Sequence, residues 1–167
     1  MALVSSVLAS GLLAMVPTPV EATAITNFTN AWATYFAGAS VTGVPVGSLA
    51  AAKSAMQGAL VGMSLANAGA AKIQAGITAF WGVIVTSGPT LWVLTPSVIT
   101  VVTPPPTLGG IAAALTAVFA SNAADPTKTL AQATNAIAIV LHNNGGLGGI
   151  ATVQPPPVAP SVPTPIL

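Results

Sequence analysis

The sequence predicts a mainly α protein: a short helical bundle with a small two-stranded β element and an extended Pro-rich C-terminal tail. Apolar residues recur at steps of three and four through several stretches, the period of a helix with one buried face. Two β-branched runs, each closed by three prolines, supply the β element. They are Ile99-Thr100-Val101-Val102-Thr103-Pro104-Pro105-Pro106 and Ile150-Ala151-Thr152-Val153-Gln154-Pro155-Pro156-Pro157, offset by 51 positions. The 15 prolines and 16 glycines cut the chain into short elements. On this reading residues 1–153 form one helical domain with an N-terminal helical arm (1–20), and residues 154–167 form the tail.

The elements follow in order. Residues 2–16 read as a helix with Leu3, Val7, Leu12 and Met15 among its apolar positions, ended by Pro17 and Pro19. The run has the length of a signal peptide but lacks the basic residues that should precede one, so the helical reading is preferred. A second helix spans about 23–37, with Ile25, Phe28, Trp32 and Tyr35 or Phe36 on one face. Residues 38–47 form a turn-rich link containing Gly43, Pro45 and Gly47. Ser48 is a good N-cap for the longest helix, whose stripe is Leu49, Met56, Leu60, Met63, Ala70, Ile73, Ile77, Trp81 and Ile84. Gly58, Gly62, Gly69 and Gly76 fall at spacings of four, seven and seven on the same helix. Each interior glycine costs about 1 kcal/mol relative to Ala. Four in register therefore point either to close helix–helix approach or to the general glycine richness of the chain.

Ser87-Gly88-Pro89 is expected to stop this helix, and 91–103 is β-prone. A helix over about 108–120 carries Leu108, Ile111, Leu115 and Val118 or Phe119 on one face. Asp125-Pro126 is the clearest helix start, since Asp caps free amides and Pro fits the first turn. Its stripe is Leu130, Ala133 or Thr134, Ile137 and Leu141, and Asn143-Asn144-Gly145-Gly146 ends it. Residues 150–153 make a short strand, and the matching runs at 99 and 150 are expected to pair, with prolines terminating both ladders.

Charge is nearly absent. Glu21, Lys53, Lys72, Asp125 and Lys128 are the five charged residues of 167, about 3% against roughly 25% in an ordinary soluble domain. Soluble monomers keep apart through surface charge, so most of this surface is expected to be covered by something else. A net charge of +1 excludes a phosphate-tracking groove, hence no nucleic acid. The chain has no cysteine, which excludes disulfides and thiolate metal sites.

Catalytic chemistry has little material. Two carboxylates, one histidine, three lysines and one tyrosine are the titratable side chains. His142 falls near a helix C-terminus, where its charge suits the dipole. Glu21 and Asp125 each fall at a helix start and read as capping residues. No cluster has metal-ligand spacing. The run Gly145-Gly146-Leu147-Gly148-Gly149 follows a helix and lacks a lysine, the reverse of a phosphate loop. Asn27-Phe28-Thr29 matches the glycosylation pattern, but Phe28 reads as core. The chain is accordingly expected to be no enzyme, with no catalytic residue, cofactor or metal. Gly58, Gly62, Gly69, Gly76, Trp81, Trp92, Pro155, Pro156 and Pro157 are the interface candidates.

Two classes of role remain. One is a structural subunit buried among copies of itself and other proteins of an assembly. The other is an integral or membrane-associated protein, for example of a virus-internal membrane; Gly88-Pro89 and Pro96 interrupt the uncharged stretch 73–102 before it reaches the roughly 20 residues a span needs. Phe28, Trp32 and Tyr35, an Ala-rich helix, Trp81, a Thr/Val/Pro segment, LGGIAAALTAVFASN (108–122) and LAQATNAIAIVLHNNGG (130–146) precede the Pro-rich end. In this texture the chain resembles small Ala/Gly-rich virion proteins of tailed bacteriophages. The resemblance implies a non-enzymatic component of a phage particle, of the tail, baseplate or neck, with the virion as its location.

Overall fold

The computed structural model describes residues 3–15, 20–65, 68–155 and 160–167. Among the described residues, six α-helices carry two small antiparallel sheets. Helix α1 (Ser5–Leu13) lies against α2 (Glu21–Phe36) and α6 (Leu130–Leu141). Helices α3 (Ala50–Leu60) and α4 (Gly69–Leu91) pair, and α5 (Ile111–Ala124) packs on α4 and α6. Ile25, Phe28, Trp32, Tyr35 and Phe36 are all buried, as the helical spacing predicts. In α1 the inward positions are Leu8 and Leu12, with Leu3 just before the helix; Val7 points outward.

The long helix expected from Ser48 is a helical hairpin. Gly62 takes φ 86°, a left-handed conformation that ends α3 at little cost only for glycine. The apolar stripe survives the break because both limbs bury it against each other: Met56, Leu60, Ala70, Ile73, Ile77, Trp81 and Ile84 are buried. Glu21, in the first turn of α2, accepts a hydrogen bond from the Gly62 amide, so its carboxylate holds the α3–α4 turn as well as suiting the helix dipole. The Ser48 hydroxyl accepts from Ala50 N at 3.5 Å, a weak cap.

Three further boundaries differ from expectation. Helix α4 runs through Ser87-Gly88-Pro89 to Leu91. A proline so near the helix end forfeits little of the ladder, and the Leu91 carbonyl is taken up by Gly47 N at 2.7 Å. Leu91 and Trp92 are therefore not strand; β3 begins at Val98 (Val98–Thr103). Helix α6 starts at Leu130, not at Asp125-Pro126. Thr129 and Gln132 form a reciprocal capping box, while Asp125 accepts from the amide and hydroxyl of Thr127 in a local turn. Thr134 and Leu141 of the expected stripe are buried, but with that start Leu130 is 62% exposed, and Ala138 is buried where Ile137 is only partly so. The chain leaves α6 through a wide π-type turn, His142–Gly146, where the sequence predicts a stop.

The expected pairing of the two echoing runs is present. Strand β3 lies antiparallel to β4 (Ile150–Gln154), with Ile99 opposite Val153, Thr103 opposite Ile150 and a bulge between Ile99 and Val101. The sheet nevertheless has three strands. Val162–Pro165, expected as extended tail, forms β5 against β4, and Ile166 is buried. The link 38–47 contains a second sheet, the hairpin β1 (Ser40–Val41) and β2 (Val44–Pro45). Its two-residue turn has φ 50° at Thr42 and 84° at Gly43, the left-handed pair that matches strand twist. Ser40 and Leu167 exchange two backbone hydrogen bonds, of 2.7 and 3.1 Å, which join the two sheets.

The accessible surface is 8131 Å²; a folded monomer of 16.2 kDa exposes about 7,500 Å². The chain therefore covers its own core.

Candidate functional site

Three places merit functional consideration: the aromatic–glycine junction around His142, a groove between α1 and α2, and the outer side of the three-stranded sheet.

At the junction, the first residues after α6 meet the aromatic faces of α2 and α4. Tyr35 Oη and His142 Nδ1 are 2.7 Å apart. Burial pushes the Tyr35 hydroxyl well above its ordinary pKa, so it stays protonated, and it shares one hydrogen bond with Nδ1 whose direction follows the imidazole tautomer. Trp81 Nε1 donates to the Gly145 carbonyl at 2.6 Å. Trp32, Tyr35, Phe36, Phe80 and Trp81 form a run of edge and tilted ring contacts at 5.0–6.1 Å. The glycines after His142 seat these rings. A Cβ at Gly146 would stand 1.8 Å from Tyr35 Oη, and one at Gly149 2.5 Å from the Trp81 ring. The glycine-rich run at 145–149 thus serves aromatic packing. The Tyr35 side chain is only 1% exposed.

Burial also lowers the His142 pKa below its ordinary value. A histidine protonated on both nitrogens cannot accept from Tyr35. The unfolded chain, titrating near the ordinary 6.5, takes up its proton first as pH falls. The stability linked to this pair is therefore complete above about pH 6.5 and declines as pH drops through the lower folded value. The melting temperature should be lower at pH 5 than at pH 7.5, and His142→Gln should flatten that difference. Asp125 adds a separate loss at more acid pH. The hydrogen bonds from Thr127, then Lys128, hold its carboxyl below the usual range, so its contribution is present above about pH 4 and is lost beneath it.

The groove between α1 and α2, about 750 Å³, is lined by Ser6, Ser10, Asn27, Asn30 and Thr34 beside Val7 and Met15. None of these is charged. Asn27 opens onto it, but Phe28 and Thr29 are buried and the Thr29 hydroxyl donates to the Ile25 carbonyl, which supports reading the Asn27-Phe28-Thr29 pattern as core. At the groove floor a Cβ on Gly11 would stand 3.0 Å from Ala31 Cβ, a small-residue helix crossing that the sequence pattern did not single out.

The outer side of the sheet is built by register. Thr103, Ile150 and Pro165 form one cross-strand row, and Val101, Thr152 and Pro163 the next, with Val98 beyond. Val98 and Val101 are each 55% exposed and Ile150 40%. No charged residue stands in these rows. Both sheet edges resist further strand addition. Proline has no N–H, so Pro163 and Pro165 fit β5 only with their nitrogens turned away from β4, leaving that edge without donors there. The bulge at Thr100 interrupts the other edge.

The predicted interface residues scatter. Trp81 and Trp92 are 0% and 1% exposed, core residues of one chain and not anchors for a neighbour. Gly76 makes the close approach expected of the glycine stripe, but within the chain: a Cβ there would lie 2.9 Å from Leu60 Cγ. Gly58 faces open space, Gly62 is the helix stop, and Gly69 begins α4. The four glycines therefore do not form one seam. Pro155 is half-buried after β4, and Pro156 and Pro157 lie outside the described residues. Among the described residues no three of His, Cys, Asp and Glu gather as a metal site requires, and no helix is long and apolar enough to cross a membrane. Comparison with protein-family models, with curated proteins and with solved structures finds no match to this chain.

Proposed function

We propose that this chain is a non-enzymatic structural subunit of a large assembly, a bacteriophage virion, in its tail, baseplate or neck, and contacts copies of itself and other structural proteins there. The observation that carries this reading is the uncharged, β-branched outer face of the β3–β4–β5 sheet. The charged residues add to it: Glu21, Lys53, Lys72, Asp125 and Lys128 are all only partly exposed. Charge depletion at the centre of a contact surface is the compositional mark of protein interfaces. Because the three tryptophans serve the chain's own core, the proposed contact surface is made of Val, Thr, Ile and Pro. The type of particle comes from the textural resemblance to phage virion proteins.

The test is assembly state. The purified chain should scatter as a large species at neutral pH without detergent. Val101→Lys places a charge in the Val101–Thr152–Pro163 row of the outer face, at a position already exposed, and should leave the circular dichroism unchanged while shifting the material to small species. A wild-type chain that is a monodisperse monomer would overturn the reading. Loss of the protein from particles on lipid extraction would favour the membrane alternative.

A further inference from the structure

We propose that α5 of one copy docks in the groove between α1 and α2 of a second copy. The inference rests on the reading that copies assemble with one another, and adds a second contact surface to the outer face of the sheet.

The groove has the form of a helix seat. Helices α1 and α2 touch at its floor, where a Cβ on Gly11 would stand 3.0 Å from Ala31 Cβ. The valley above two touching helices is the place that a third helix fills in a bundle. Its walls carry hydrogen-bonding groups left without partners. The side chains of Ser6 and Ser10 on α1, and of Asn27, Asn30 and Thr34 on α2, make no hydrogen bond within the described residues. Thr26, Thr29, Thr116 and Thr134, by contrast, each donate to a carbonyl one turn back in their own helix.

Helix α5 supplies an uncovered face. Of its 14 residues only Ile111 and Leu115 are buried. A helix face in water ordinarily carries charge, and α5 has no charged residue along its length. Ala113, Ala117, Ala120 and Ala124 fall within about 60° of one another around the axis, on the side opposite the buried pair, and all four are exposed.

Two properties match this face to the groove and commit it to a second copy. The first is charge. Helices α2, α3 and α4 carry Glu21, Lys53 and Lys72, whereas α5 and the described lining of the groove are uncharged, so their contact buries no unpaired ion. The second is fit. Ala113 to Ala124 covers about 16 Å along the axis and Ser6 to Met15 about 14 Å, and alanine side chains let helix axes approach to about 8 Å. Beside the alanines, Thr116 spends its proton on the Ala112 carbonyl, and Ser121 accepts from Lys128. The first keeps an acceptor and the second a donor for the Asn27 and Asn30 carboxamides. Asp125 and Lys128 follow the helix and stand at the rim of such a contact, where interfaces keep their charge. Because α5 and the groove are different surfaces, the contact is head-to-tail and repeats from copy to copy, closing as a ring or running on as a filament.

Ala117→Glu and Asn30→Glu test the two surfaces separately. Both positions are exposed, so each variant should keep the wild-type circular dichroism, and each alone should scatter at a smaller mass than wild type. Mixed in equal amounts they should regain one contact, because the Asn30→Glu chain keeps its α5 and the Ala117→Glu chain keeps its groove. The mixture should then scatter at roughly twice the mass of either variant alone, the two glutamate-bearing surfaces repelling each other and ending growth there. Wild-type-like assembly of either variant overturns the proposal; if only Asn30→Glu assembles normally, α5 pairs with something other than the groove. A mixture no larger than its components overturns it too. In each case a large wild-type species leaves the subunit reading standing, whereas a wild-type chain that stays monomeric at every concentration overturns both.

Discussion

Gly146→Ala should destabilise the fold by about 4 kcal/mol or more, lowering the melting temperature by roughly 10 °C. The added Cβ would stand 1.8 Å from Tyr35 Oη, 2.8 Å from Cζ and 3.1 Å from Cε1. The Tyr35 ring is hemmed in by Trp32, by the hydrogen bond to His142 and by its own burial. It cannot swing aside without breaking that bond and opening space beside Trp32, and cores give way poorly to added volume. Tyr35→Phe removes the closest atom. The double variant Gly146→Ala/Tyr35→Phe should therefore lose clearly less than the sum of the single losses, a coupling that thermal or denaturant melts can read. Gly58→Ala is the control. Its Cβ meets nothing within 4 Å, so helix propensity alone acts and the change should stabilise by up to about 1 kcal/mol. Equal effects at the two positions would mean that the aromatic seat is not where the structure places it.

The contrast between Gly146 and Gly58 also marks what the sequence can disclose. Phe28, Trp32, Tyr35 and Phe36 announce their helix because its period and burial are local properties of one stretch. The pairing of β3 with β4 is legible because triple prolines punctuate both runs alike. The demand for glycine at 146 and 149 comes from Tyr35 and Trp81, more than sixty positions away, and nothing beside the glycines records it. The α3–α4 break hides for another reason. Met63 and Ala70 continue the stripe across the turn, since both limbs of the hairpin bury the same face, and only the left-handed Gly62 interrupts it. Two helix starts competed within five residues: Asp125-Pro126 carries the signal of acid and proline, yet the reciprocal Thr129–Gln132 box satisfies two orphan amides where the first satisfies one. Strand β5 was illegible because proline ordinarily argues against a strand, and the alternation Val-Pro-Thr-Pro is admissible only at an edge. Most of the helical fold was thus readable, whereas the outer sheet face was not, because it depends on that unexpected third strand.

Gly88→Ala should cost about 2–3 kcal/mol, and its effect should reach assembly as well as stability. Gly88 sits in the last turns of α4, where the helix passes under β3, and a Cβ there would stand 2.3 Å from Val102 Cγ2 and 3.2 Å from Val102 Cβ. Valine has one stiff rotor, so it cannot fold its methyl away; the strand itself must lift. Strand β3 carries β4 through the ladder, and β4 carries β5, so lifting β3 disturbs the surface on which the proposed contacts depend. Val102→Ala removes the obstructing methyl groups. Alone it should destabilise through lost burial, by an amount typical of a small core truncation, about 1–3 kcal/mol. Combined with Gly88→Ala it should restore part of what each single change loses, because the new methyl occupies space that the valine vacated. If assembly depends on the seat of the sheet, the double variant should recover large-species scattering together with stability. Recovery of stability without recovery of assembly would place the contact surface elsewhere, and additive losses would show that α4 and β3 are not in contact at this point.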